Sequence, residues 1–301
     1  MRSNLLTNRS AAANGTLYVL ATPIGNLRDI TLRALDILLS VDFIAAEDTR
    51  HTGRLLKGRA PKGRFISYHE HNEEERTPLL LEKLEAGFSV AVVSNAGTPS
   101  ISDPGFRLVK SAVVRNIPVS PVPGVSAAIA ALSVSGLPTD SFVFIGFLPR
   151  KKGRRTDQLT SLRNMARTMI FYESPKRISR LIDDLLTVMG DRSAALGREI
   201  TKLHEEFLRG RLSELRALLA ERGDIKGECT LVVSGRLPDT TAGTAVLYEK
   251  LTTRLKQEKV ILSELVREVV RETGLPRKIV YGAALEIKRN LNQGDKTGDP
   301  A

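Results

Sequence analysis

The sequence predicts an α/β protein of two lobes followed by a helical piece, and three observations carry that expectation. First, Leu17–Ala21, Phe43–Ala46 and Val90–Val93 are nearly continuous apolar runs. Strands covered on both faces of a parallel sheet read this way. Second, Leu32, Leu35, Leu38 and Leu39 recur at helical spacing between those runs, as do Leu80, Leu81 and Leu84. Third, a further strand set follows, at Phe142–Phe147, Met169–Tyr172, Ala194–Gly197 and Cys229–Val233. It accompanies a helix whose Ile178, Leu181, Ile182, Leu185, Leu186 and Met189 share one face. Strand–helix–strand order of this kind indicates an open sheet with right-handed crossovers.

The elements suggest boundaries. Residues 1–15 are polar and rich in Asn, Ser and Ala, and are expected to be a disordered extension. An N-terminal α/β domain is expected over 16–138 and a second over 139–237. A polar break near Pro238–Gly243 precedes a helical domain at 244–291. There Leu265, Val266, Val269 and Val270 form one stripe, Thr273-Gly274 makes a turn, and Pro276 opens a helix carrying Ile279, Val280, Ala283, Ala284 and Ile287. Helix, short turn, helix fits a helix-turn-helix and equally a structural hairpin.

Composition narrows the class. The 301 residues are 42% hydrophobic and 26% charged, enough for a packed core. Lys and Arg number 45 against 34 Asp and Glu, a net charge of +11 that favours a polyanionic partner. The single cysteine, Cys229, excludes an internal disulfide and any thiolate metal cluster, and fits a reducing compartment. No apolar run approaches the ~20 residues that cross a bilayer, and residues 1–15 lack the apolar core of a signal peptide. A cytoplasmic protein without a membrane anchor is expected.

Ligands in open α/β sheets bind beyond the carboxyl ends of the strands. The strand exits here are Thr22–Asn26, Glu47–Arg50, Ser94–Pro99 with Ser102–Gly105, and Pro121–Ala128, all rich in small or turn-forming residues. Small residues let a ligand approach the backbone, and four such loops on one sheet edge are most simply explained by one shared pocket. Neither a P-loop, nor a G-x-G-x-x-G opening the first helix, nor a G-x-S-x-G nucleophile motif is present. His69 and His71 flank Glu70, but their i, i+2 spacing suits an exposed loop better than a metal pair, and no metal is expected.

At these loops the residues resemble a known family. The strings TPIGNL at 22–27, AEDTRHT at 46–52, AGTPSISDPG at 96–105 and PGVSA at 123–127 are similar to those of the ribosomal RNA small subunit methyltransferase I family, within the tetrapyrrole-methylase-like superfamily. So are GFLPRKKGRR at 146–155, FYESPKR at 171–177, GREITKLHEE at 197–206 and KGE at 226–228. The resemblance implies two α/β domains, a parallel sheet and a second mixed one, with S-adenosylmethionine in the cleft between them, in a homodimer. It implies 2′-O-methylation of a cytidine in the decoding centre of 16S ribosomal RNA within the small subunit. By position, the cofactor would meet Pro23, Gly25, Asn95, Ala96, Gly97, Thr98, Ser126, Ala127 and Tyr172. One departure stands out: the family usually has Asp where this chain has Asn95, and a smaller one is Val125 in place of a common Pro. An amide replaces the carboxylate as an acceptor of N–H groups but not as a counter-charge.

Methyl transfer from a sulfonium needs positioning and, for a weakly acidic ribose hydroxyl, a base or a charge-stabilising group. The candidates for catalysis are Glu47, Asp48, Arg50 and Glu173, with Glu199, Lys176, Arg177 and Arg198 as further charged groups. Arg150, Lys151, Lys152, Arg154 and Arg155 form a basic loop expected to touch the RNA backbone. With 5% aromatic residues and no Trp, recognition through phosphates and shape is favoured over base stacking. Two alternatives stay open: a C-methylating enzyme of tetrapyrroles, and a non-enzymatic RNA-binding assembly factor with a degenerate cleft.

Overall fold

The computed structural model describes residues 15–56, 58–223, 225–236, 240–255, 261–273 and 277–294. The expected extension before Gly15 lies outside the described residues, as do the 274–276 turn and most of the tail after Asn290. The chain divides into two compact units after Gly235.

In the first unit, strands β1 (Leu17–Leu20), β2 (Phe43–Ala46), β3 (Arg64–Ser67), β4 (Val90–Val93) and β5 (Val119–Val122) form an all-parallel sheet of order β3-β2-β4-β1-β5. Helices α1 (Leu32–Ser40), α2 (Thr49–Leu55), α3 (Glu73–Glu85) and α4 (Phe106–Val114) make its crossovers. One face buries Leu17, Leu80, Leu84, Val90 and Leu108, and the other Leu20, Leu38, Ile44, Ala91 and Val93. Because both faces are covered, the central strand β4 is buried at every position, which is why it reads as an unbroken apolar run. The run announced nothing at β3, where only Phe65 and Ile66 are apolar and the strand sits at the sheet edge.

The second sheet has order β6-β7-β10-β8-β9, from β6 (Phe142–Phe147), β7 (Thr168–Glu173), β8 (Ser193–Arg198), β9 (Glu206–Arg211) and β10 (Cys229–Val233). Only β6 and β7 are parallel; the other pairings are antiparallel, so the sheet is mixed. Helices α6 (Lys152–Leu162), α7 (Pro175–Met189) and α8 (Leu212–Glu221) belong to this half. On α7 the apolar face buries Ile178, Leu181, Ile182, Leu185 and Met189 into the sheet's core. The opposite face of the sheet is covered by α5 (Ala127–Ser135), which follows the last strand of the first sheet. Its Ala128, Ala131 and Leu132 pack with Ile170 and Val232, so the helix that ends one half roofs the other.

The second unit contains α9 (Thr240–Leu255), α10 (Leu262–Thr273) and α11 (Arg277–Gly294). Leu247, Leu251, Leu265, Val266, Val269, Val280, Ala284 and Ile287 form its core, so the apolar stripes meet one another inside a small helical unit. Where a polar break was expected near Pro238–Gly243, Pro238 and Asp239 lie outside the described residues, and α9 already begins at Thr240.

Candidate functional site

The strand order explains why the expected loops meet. β4, β1 and β5 are neighbours, so their carboxyl-terminal loops emerge side by side. Thr22 and Gly97 then pair as an isolated antiparallel bridge, with Thr22 N–H donating to the Gly97 carbonyl at 2.8 Å and Gly97 N–H returning to Thr22 at 3.0 Å. The Thr22 hydroxyl also donates to the Ser94 carbonyl at 3.0 Å. Gly97 holds φ at +75°, a left-handed conformation that a side chain would strain. The third loop joins from the side, where Ser126 precedes α5 without a side-chain capping bond and the Ala128 N–H donates to the Tyr172 hydroxyl at 3.1 Å. That hydrogen bond runs from a helix of the first half to a strand of the second.

These contacts enclose a cavity of about 330 Å3, within the range of small-molecule sites. Ile24, Ala96, Gly97, Thr98, Ser126 and Ala127 line it from the first half, and Phe147, Tyr172, Glu173 and Thr230 from the second. Tyr172 is held edge-on by Phe144 and Phe147, at centroid distances of 4.9 and 5.6 Å. Three acidic residues are among the lining, Asp103, Glu173 and Glu228, although the Glu228 carboxylate is largely exposed and paired with Lys202 at 3.2 Å. Cys229 lines the cavity too, but burial pushes its thiol up to about 11, so it is no thiolate at neutral pH.

The charged residues singled out from the sequence separate in the structure. Glu173 is 5% exposed, lines the cavity, and accepts from the Ser174 N–H and from Arg177 at 2.6 Å. Glu47 stands behind the wall, its Oε2 accepting the Asn95 N–H at 3.0 Å. Asp48 is exposed and caps α2, accepting from the Arg50 and His51 N–H groups. Those N–H groups hold its carboxyl below the usual range. Neither Asp48 nor the exposed Arg50 belongs to the cavity lining. Glu199 is taken up by Lys202 and the Glu228 N–H, and Arg198 by Glu206 across the β8–β9 pair, so both are fixed in local contacts.

Pro23, Gly25 and Asn95 lie outside the lining as well. Gly25 is small for another reason: a Cβ there would stand 2.4 Å from the Lys202 side chain, in the turn that also accepts the Asn26 N–H through Thr201. Asn95 leaves its buried Oδ1 without a hydrogen-bond partner among the described residues. The basic segment at 150–155 is no loop throughout, since α6 begins at Lys152. Arg150, Lys151, Lys152 and Arg154 are exposed, whereas Arg155 is buried and paired with Asp184 at 2.6 Å. Among the described residues, no group of three or more His, Cys, Asp or Glu is arranged to hold a metal ion.

The residue that sequence reasoning passed over is Asp103. Burial, the nearby Glu47 and, less strongly, Glu228 raise its carboxyl to about 7, against a hydrogen bond from Ser94 that lowers it. The only signal was its place in the Ser102-Asp103-Pro104-Gly105 strand exit, which reads equally well as turn punctuation.

Its elevated pKa has a consequence for stability. The folded state keeps the proton to higher pH than the unfolded chain, so Asp103 stabilises most in acid, and that contribution falls away as pH rises from about 4 through 7. Asp103→Asn is therefore expected to flatten the pH dependence and to melt higher than wild type at pH 8. Melting curves from pH 5 to 9 that stay parallel for the two proteins would refute this.

The chain was compared with known proteins. Residues 16–216 match the family model of tetrapyrrole (corrin/porphyrin) methylases. A protein of Micromonospora olivasterospora named ribosomal RNA small subunit methyltransferase I is 49% identical over 271 residues, covering 90% of this chain and 86% of its own length. A protein of the same name from Halalkalibacterium halodurans is 44% identical over 272 residues, 89% of this chain and 93% of its own. Among solved structures, a uroporphyrin-III C-methyltransferase from Thermus thermophilus, complexed with S-adenosyl homocysteine, is similar in fold, with a TM-score of 0.51 and 20% identity over 73% of this chain and 97% of that one.

Proposed function

The chain belongs to the tetrapyrrole methylases and, within them, to the ribosomal RNA small subunit methyltransferase I family, and from that premise we propose that it methylates small-subunit ribosomal RNA with S-adenosylmethionine as donor. In full, the reaction is methyl transfer to the 2′-hydroxyl of a cytidine in the decoding centre of 16S ribosomal RNA. The observation that carries this reading is the 49% identity with an enzyme of that name across 90% of the chain.

The cleft suits a sulfonium nucleoside. Ala96, Gly97 and Ala127 present little side chain, leaving backbone against which a flat base and ribose can lie. Asp103 and Glu173 supply negative charge in a partly desolvated space, where it acts strongly on a cation. Pro23, Gly25 and Asn95 act one layer back, by shaping the loops. When bound, the cofactor supplies an electrophilic methyl carbon.

The chain's own residues do the rest. The Thr22–Gly97 bridge and the Tyr172–Ala128 hydrogen bond fix the two walls, and in-line positioning of this kind contributes roughly 7–11 kcal/mol. Asp103 faces the cavity with a pKa near neutrality, where a carboxylate is best matched to take a proton from a ribose hydroxyl. Glu173 is fixed by Arg177 and shapes the field beside it. Glu47 acts through Asp103, raising its proton affinity. Asp48 and Arg50 lie at the start of α2, suited to orient RNA rather than to move a proton. Arg150, Lys151, Lys152 and Arg154 offer exposed cations to the RNA backbone. A homodimer is part of the proposal, supported by Phe106, Val113 and Val114, exposed on one face of α4; a monomer mass in solution would remove it.

Labelled methyl is expected to pass to small ribosomal subunits and to leave one linkage resistant to alkali, since a 2′-methoxy group cannot attack its own phosphate. Transfer to a tetrapyrrole but not to subunits would exclude the reading. Asp103→Asn is expected to lower kcat by about 100-fold or more, and the wild-type rate to rise with pH through about 7 as the carboxylate forms. An unchanged pH profile in the variant would remove Asp103 from the proton's path. Asn95→Asp adds a charge beside Glu47, and is expected to favour S-adenosylmethionine over the uncharged S-adenosyl homocysteine. Equal affinity ratios before and after would show that the site carries no such electrostatic role.

A further inference from the structure

A second, smaller cavity lies on the far side of Glu173, which lines both. It measures about 30 Å3 and is walled by Arg150, Arg155, Arg177 and Arg180. The fold gathers these four cations from separate places. Arg150 ends the turn after β6, Arg155 sits in the first turn of α6, and Arg177 and Arg180 are one turn apart on α7, against which α6 packs. Two of the charges are balanced locally, Arg177 by Glu173 and Arg155 by Asp184, each at 2.6 Å. Arg150 and Arg180 are exposed, and no acidic partner meets them among the described residues.

Arg155 is the telling member. It is 5% exposed, and its Nε donates to Asp184 while Nη1 donates to the Pro149 and Arg150 carbonyls. Its Nη2 is buried with no hydrogen-bond partner among the described residues. A desolvated guanidinium with an unmet donor is costly unless something arrives to accept from it. A space of this size admits about two water-sized groups, which suits the two non-bridging oxygens of a phosphodiester and excludes a base or sugar. Planar guanidiniums meet phosphate oxygens two at a time, with directional charge-assisted bonds.

We propose that this arginine-walled cavity is a subsite for one phosphodiester of the RNA substrate, with Arg155 Nη2 donating to a non-bridging oxygen and Arg150 and Arg180 closing over it. It rests on the reading of the protein as an RNA methyltransferase and adds a register to it. With Glu173 common to both cavities, anchoring one phosphate here sets the neighbouring ribose at the mouth of the methyl-transfer cleft. The subsite positions the substrate; it moves no proton.

The test is equilibrium binding of small-subunit ribosomal RNA, with S-adenosyl homocysteine present to keep the chemistry silent. Arg155→Lys keeps the charge but loses the fork, so RNA binding is expected to weaken about tenfold with its salt dependence unchanged. The double variant Arg150→Gln/Arg180→Gln is expected to lower the slope of log K against log salt by about 0.7–0.9, the share of one phosphate. Cofactor affinity should match wild type in both and the melting temperature should match in the double variant, whereas Arg155→Lys also gives up bonds to Asp184 and two carbonyls and is expected to melt lower; if it fails to fold, the double variant decides. A slope change of about twice that size would mean one phosphate per arginine, and would overturn the single cradle. Unchanged RNA binding in both variants, with wild type still methylating subunits, would overturn the subsite and spare the functional reading. Wild type that neither binds nor methylates the RNA would overturn both.

Discussion

The pair of backbone hydrogen bonds between Thr22 and Gly97 is the constraint on which the cleft depends. Two loops leaving adjacent parallel strands have no ladder to continue, and their N–H and C=O groups would otherwise need water or a ligand. By bonding to each other they become a rigid floor, and the left-handed Gly97 turns the chain sharply enough to do it. The remaining small residues follow from that close approach. Gly124 shows the same logic, since a Cβ there would stand 2.9 Å from the Ala21 side chain. In this protein, then, several glycines serve loop-on-loop packing first, and a ligand meets the backbone surface which that packing leaves behind.

The charges are sorted by depth. Carboxylates face the cavity or stand just behind it, where low polarisability magnifies their effect on one another and on a cation. Asp103 registers this most, because it is half-buried near Glu47 and Glu228 and forms no ion pair among the described residues. Glu173, more deeply buried, is paired with Arg177. Two carboxylates in one cleft thereby receive different environments, the usual way a site divides a proton-handling role from a purely electrostatic one. The exposed cations Arg150, Lys151, Lys152 and Arg154 lie outside this zone, at the start of α6, as befits groups that meet a polyanion from solvent.

Tyr172 and α5 connect the halves of the first unit in complementary ways. The apolar helix α5 belongs by sequence to the first sheet but buries Ala128, Ala131 and Leu132 against the second. Its amino end presents Ser126 and Ala127 to the cavity, so the packing that joins the halves also aligns the walls. Any shift of one half against the other would have to break the Tyr172 hydrogen bond and this apolar contact together.

The sequence by itself determined the strongly periodic parts. The buried strands β2, β4, β7 and β10 and the amphipathic α7 were legible because each must satisfy one dominant demand, burial, at nearly every position of the strands and at every third to fourth of the helix. The edge strands β3 and β9 were not, because an edge is half solvated and its pairing is decided by neighbours distant in the chain. The same division holds at the site. The small-residue exits after β1, β4 and β5 marked the cleft, since a fold of this class leaves that edge open whatever else it does. Residue type could not separate Asp48, which caps a helix, from Asp103, which faces the cavity, nor Arg155, which is buried, from Arg154, which is exposed. Those distinctions depend on desolvation and on which partners come within reach, and only the packing of α6 on α7 and of the two sheets about α5 decides them.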